Sequence, residues 1–202
     1  MQITEKKYDW AYGLTARSVT THLVLHHAAA TRATADSIHS YHKSKGWAGI
    51  AYHYFIAKDG TITRGRPENM IGAHTTNWNY CSIGICFEGN FESETMPPAQ
   101  IEAGRALIED IKARYPNIVV ARHSELGQTA CPGKNFPFMQ MVSGAESARA
   151  AEQDKAPADW AKAACDAAVR KGVFVGDGGD FRWHDPVTRE ELAVILGRLQ
   201  AL

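Results

Sequence analysis

The chain has 202 residues, 45% of them hydrophobic and 22% charged, which is ordinary globular usage and argues against a disordered or collagen-like polypeptide. Its 22 Lys and Arg balance 22 Asp and Glu to a formal net charge of zero, so no strongly basic face and no nucleic-acid partner are expected. No apolar run approaches the roughly 18 to 20 residues that span a bilayer, and the opening MQITEKK leads into no apolar secretory stretch, so neither membrane insertion nor a signal peptide is expected.

Residues 20–27 (TTHLVLHH) are apolar and β-rich and predict a buried strand. Residues 36–45 carry Ile38, Tyr41 and His42 at i, i+3 and i+4 and predict a short helix closed by Gly46. Residues 50–57 (IAYHYFIA) predict a second strand, and the Asp59-Gly60 turn with residues 61–64 predicts its hairpin partner. Residues 81–88 (CSIGICFE) predict a further buried strand. Pro97-Pro98 opens a helix whose Gly104, Leu107, Ile108, Ile111 and Tyr115 share one stripe and which Pro116 stops. Residues 118–121 form a last short strand running into His123. The mixture predicts an α/β fold, a central mixed β-sheet flanked by helices.

Residues 141–157 are small and polar, lack aromatics and predict a linker between a domain at 1–140 and a module at 158–202. In that module residues 159–171 predict a helix, residues 172–180 a loop with four glycines, and the TREE capping box at Thr188 a helix carrying Leu192, Ile195, Leu196 and Leu199 on one face. The module is thus expected to be small and all-α. Four cysteines, Cys81, Cys86, Cys131 and Cys165, have no framework spacing. On one strand Cys81 and Cys86 would lie roughly 16 Å apart on opposite faces, beyond the about 7 Å that a bridge allows, so all four are expected reduced.

His26 and His123 each sit at the end of an apolar strand, and Cys131 follows in the loop after His123. Strand ends and the loops after them are where functional groups are commonly held. Two imidazoles and a thiolate suit a tetrahedral zinc with one open position. The spacing alone equally allows two partly buried histidines and a small buried cysteine.

Four blocks narrow that choice: LVLHHAAAT at 23–31, GWAGIAYHYFIAKDGTI at 46–62, IGAHTTNWNYCSIGICFEGNF at 71–91 and RHSELGQTACPG at 122–133. In this order they resemble the type 2, zinc-dependent N-acetylmuramoyl-L-alanine amidases, a family that includes phage lytic amidases and animal peptidoglycan recognition proteins. The resemblance implies one Zn²⁺ per chain on His26, His123 and Cys131, with Tyr52 as the catalytic tyrosine. Thr129 matches a position that the family fills with Lys or Thr, and His74 resembles a pocket residue near substrate. The implied substrate is peptidoglycan, cut at the amide between N-acetylmuramic acid and L-alanine. Trp47, Trp78, Asn77 and Asn79 offer stacking and amide hydrogen bonds suited to pocket walls. His27 and His53 match no ligand and are expected to be structural. Where some relatives place a carboxylate base this chain has Cys86, which leaves Tyr52 the stronger candidate and Glu88 a rim or structural carboxylate.

The tail from Asp159 to the end resembles a single surface-layer homology module in its WAK opening, glycine loop and DPVTREE block. That resemblance implies binding to a secondary cell-wall polysaccharide. Arg189 is either the contact for an anionic group, since guanidinium binds such groups bidentately, or an ion-pair partner on its own helix. Trp183-His184 departs from the family pattern, and one copy stands where such modules usually come in threes. The apolar face of the last helix is therefore expected to pack on the amidase domain or on a second copy in a homo-oligomer. Together these features predict a phage endolysin, made in the host cytoplasm and acting on the wall after release. The rivals are a bacterial autolysin of the same chemistry and a non-catalytic peptidoglycan-binding protein, against which Cys131 and Tyr52 argue.

Overall fold

The structure, a computed structural model, describes residues 1–142, 157, 161–175 and 189–200, apart from the side chains of residues 190, 191, 199 and 200. The chain divides into two compact units, Met1–Val142 and Ser143–Leu202.

In the first unit six strands form one mixed sheet: β1 (Ile3–Thr4), β2 (His22–His27), β3 (Tyr54–Ile56), β4 (Ile62–Arg64), β5 (Ser82–Phe87) and β6 (Val119–Arg122), in the order β1-β4-β3-β5-β2-β6. Only β3 and β4 pair antiparallel; the other neighbours are parallel. The central strands β5 and β2 are buried along almost their whole length, which is why their sequences read as continuous apolar runs rather than alternating ones. The β2–β5 register sets His26 opposite Cys86.

Helix α2 (Pro98–Arg114) lays Gly104, Leu107, Ile108 and Ile111 on one face of the sheet, against Leu23, Leu25, Ile83, Ile85 and Phe87. Each large aliphatic side chain buried this way contributes about 1.5–3 kcal/mol. Helix α1 (Ala35–Ser44), capped by Thr34 and Ser37 in a reciprocal box, contributes Ala35 and Ile38 to a smaller cluster containing Phe55, Cys86 and Ile50. Two short helices follow β6: α3 (His123–Leu126) and α4 (Phe138–Val142).

Several expectations need correction. The buried face of α1 is Ala35, Ile38, His39 and His42, and Tyr41 is exposed, because the i+1 position His39 rather than Tyr41 turns inward. The strand expected at 50–57 is paired only over Tyr54–Ile56. Met141, placed by composition at the start of the linker, belongs to α4 and is fully buried in the main core. The two-residue strand β1 left no periodic signal in the sequence.

In the second unit the described elements are α5 (Lys162–Arg170) and α6 (Arg189–Gln200), and Arg198 Nη1 donates to the Val173 carbonyl at 3.3 Å. Leu192 and Leu196 are exposed. Most of the glycine loop, the capping-box threonine Thr188 and the Leu199 side chain lie outside the described residues. The four cysteines are free.

Candidate metal centre and active site

His26 is the fifth residue of β2. Strand alternation turns its side chain to the α1 face, with Cys86 beside it on β5, while His27 turns the other way. His123 opens α3 directly after β6, where the Arg122 backbone N–H and side chain are both held by Glu125. Cys131 arrives on the loop after α3. Its carbonyl accepts from Ser124 N–H at 2.8 Å, its N–H donates to Thr129 Oγ1 at 3.1 Å, and the Cys131–Pro132 peptide is cis.

These segments bring one ligand atom each from His26, His123 and Cys131 within 4.8 Å of one another. Cys131 Sγ lies 3.6 Å from His26 Nδ1, and the His26 and His123 ring centres are 4.6 Å apart. Burial, reinforced by the neighbouring His123 and His27, holds the His26 imidazole well below its usual range, and burial lowers His123 as well. Both rings are therefore neutral at neutral pH and have lone pairs to offer. Burial pushes the Cys131 thiol up to about 11. The donor set and the spacing of its atoms fit a zinc ion, for which N, N and S ligands with one open position are usual in catalytic sites.

Tyr52 completes the cluster, its ring 5.1 Å from His26 and 5.8 Å from His42. Burial, then the Cys86 and Cys131 sulfurs, hold its phenol well above the usual value, so Tyr52 carries its O–H proton at neutral pH. The segment carrying it is not part of β3. Its backbone is fastened from two sides: His39 Nδ1 accepts from Ile50 N–H at 3.2 Å and His42 Nδ1 from Ala51 N–H at 3.0 Å, while the Tyr52 carbonyl accepts from Arg66 N–H at 2.9 Å. His42 is lowered to about 4, chiefly by burial and then by the Arg66 and His39 charges, so it remains a neutral acceptor. Sequence reasoning placed His42 on the helix stripe but missed His39 and the backbone-holding role of both. The only signal was their i, i+3 spacing on the buried side of an otherwise polar helix.

The remaining expected residues divide. Thr129 is exposed and its oxygen orients the Cys131 loop. Trp47 is 41% exposed and its ring lies 4.8 Å from His42, so it flanks the Tyr52 side of the cluster. Trp78 packs on His22 at 4.5 Å, four residues or about 13 Å along β2 from His26, and does not join the cluster. Asn79 is a cap rather than a wall: its Oδ1 accepts the backbone N–H groups of His74 and Thr75 at 2.7 and 2.9 Å. Asn77 is exposed in the same turn. His74 is buried, its Nδ1 3.1 Å from His26 Nε2.

His27 and His53 are structural. His27 Nδ1 accepts from Phe91 N–H, and His53 Nδ1 accepts from Gly84 N–H while its Nε2 meets the Met70 carbonyl. Glu88 clamps two loops, accepting from Ala33 and Lys58 N–H. Arg189 is exposed at the first residue of α6.

A family model described as N-acetylmuramoyl-L-alanine amidase matches residues 16–134. The chain is 38% identical over 148 residues to peptidoglycan-recognition protein SC2 of Drosophila melanogaster, covering 64% of this chain and 80% of that one. It is 34% identical over 127 residues to the endolysin of Klebsiella phage KP32, covering 58% of this chain and 83% of that protein. Among solved structures, the N-acetylmuramoyl-L-alanine amidase LysC from Clostridium intestinale URNW superposes with a TM-score of 0.69 at 40% identity, over 71% of this chain and 96% of that one.

Proposed function

The chain belongs to the N-acetylmuramoyl-L-alanine amidase family, and from that membership we propose that it is a zinc-dependent lytic amidase of endolysin type. It would hydrolyse the amide between N-acetylmuramic acid and L-alanine in peptidoglycan. The observation that carries this reading is the convergence of His26, His123 and Cys131, from three separate segments, on one small volume beside Tyr52.

A zinc ion held by those three side chains would supply Lewis-acid polarisation and a nucleophile from water near neutral pH. The chain's own groups do the rest. The neutral Tyr52 hydroxyl donates to the oxygen on which negative charge develops, and it is within the cluster that receives the scissile carbonyl. Thr129, exposed beside Cys131, presents its hydroxyl hydrogen to the same region while its oxygen holds the Cys131 loop. The departing alanine nitrogen takes a proton, for which the Tyr52 O–H is the donor at hand, and the phenolate left behind regains one from the newly formed muramic carboxylic acid. Trp47 offers an exposed ring to the glycan or stem peptide.

The phage endolysin relative supports action on the wall after release from the cell in which the protein is made. The domain plan follows as an amidase domain at 1–142, which takes in the buried Met141, a linker after it, and a module at 158–202. The WAK and DPVTREE blocks support a surface-layer-homology reading of that module. There Arg189 would meet an anionic wall polysaccharide, and the exposed Leu192 and Leu196 would meet a second copy.

Zinc loading should release one proton, because the two histidines are already neutral and only the Cys131 thiol must ionise. Affinity is therefore expected to rise about tenfold per pH unit between roughly pH 7 and 9. Competition against a chelator at several pH values checks this, and an affinity independent of pH would contradict it. The bond itself is tested by mass spectrometry of digested peptidoglycan. A free muramic lactyl group with a new alanine amino terminus supports the reading, and cleavage between sugars or within the stem refutes it.

A further inference from the structure

The two ring nitrogens of His26 face different partners. Nδ1 lies 3.6 Å from Cys131 Sγ, and Nε2 lies 3.1 Å from Nδ1 of the buried His74. Thr75 Oγ1 closes a triangle, 3.0 Å from His74 Nδ1 and 3.4 Å from His26 Nε2. A neutral imidazole that offers Nδ1 to a cation carries its proton on Nε2. The His26 Nε2–H therefore donates into this triangle, and His74 Nδ1 is the acceptor it meets most closely. His74 must then carry its own proton on Nε2, a buried atom with no hydrogen-bond partner among the described residues. An unpaired buried N–H is unfavourable, and the fold accepts it here.

The fold also reserves the space. A Cβ added at Gly84 on β5, or at Gly72, would lie 2.7 Å from His74 Nε2, so the ring occupies space that only glycine leaves open at both positions. Asn79 holds the turn from below through the His74 and Thr75 N–H groups.

We propose that His74 is a positioning residue. Through Nδ1 it fixes the tautomer and ring plane of His26, and so sets how tightly His26, His123 and Cys131 hold zinc. This inference rests on the zinc reading above.

His74→Asn and His74→Leu test it, because the two replacements have the same shape and only asparagine keeps an acceptor oxygen near the position of Nδ1. Zinc affinity, measured by chelator competition on the full chain, is expected to fall about 10- to 100-fold in His74→Leu and to stay within about threefold of the parent in His74→Asn. Equal losses in both variants, the mark of a packing role, would overturn the inference, as would an unchanged His74→Leu. A parent chain that binds no zinc at all would overturn the zinc reading and the inference together, so the two failures are distinguishable. Should His74→Leu not fold, imidazole ¹⁵N shifts of the zinc-loaded parent decide: protons on Nε2 of both His26 and His74 support the inference, and an Nδ1–H tautomer at His74 overturns it.

Discussion

Cys131→Ser is expected to abolish stoichiometric zinc binding and to lower amidase turnover by about 10³-fold or more, some 4 kcal/mol of barrier. Serine keeps the size of the side chain but supplies no thiolate, and the remaining pair of imidazoles is a weak zinc site. The fold should survive. Cys131 sits in a half-buried loop tied through its backbone to Ser124 and Thr129, and those hydrogen bonds do not involve sulfur. Metal-free parent and variant should therefore melt together. Zinc at a hundred times its dissociation constant should stabilise only the parent, by about 2.7 kcal/mol. A variant that still binds zinc one-to-one and keeps more than a tenth of its turnover would remove Cys131 from the centre.

Tyr52→Phe is expected to lower kcat by about 10²- to 10³-fold, the usual effect of removing one donor from a developing oxyanion, with zinc affinity unchanged. Phenylalanine keeps the ring that packs near His26 and His42, so only the hydroxyl is lost. Because the phenol is held well above its usual value, the parent should show no alkaline fall in kcat from loss of this donor near pH 10. Kinetics of both proteins on a muramyl peptide check this. A matching fall in zinc affinity would assign Tyr52 to the support of the metal ligands rather than to the chemistry.

Much of the fold was legible because it rests on burial. The runs LVLHH and SIGICF are apolar enough to mark the two central strands, and the Gly104–Leu107–Ile108–Ile111 stripe marks the helix that covers them. The segment around Tyr52 reads as a strand for the same reason, since Ile50 and Ala51 are as buried as any strand residue. Its backbone nevertheless bonds to His39 and His42 across the layer, and no local pattern encodes a hydrogen bond between a helix imidazole and a chain nine to eleven residues away. The candidate metal set of His26, His123 and Cys131 was legible from residue type and family resemblance together. The secondary partner of His26 was not, because which side of an imidazole faces His74 depends on the register of β2 against the turn that Asn79 holds. Trp78 and Asn79 had the composition of pocket walls, yet one packs on His22 and the other caps a turn, uses equally compatible with the same residue types.

Diffraction from crystals of the zinc-loaded protein, collected at the zinc absorption edge, tests the central claim most directly. The account predicts one anomalous peak per chain in this unit, about 2.0–2.1 Å from His26 Nδ1 and from a ring nitrogen of His123, and about 2.3 Å from Cys131 Sγ. A zinc peak bound elsewhere on the chain, or these three side chains in place with no peak between them, would contradict it.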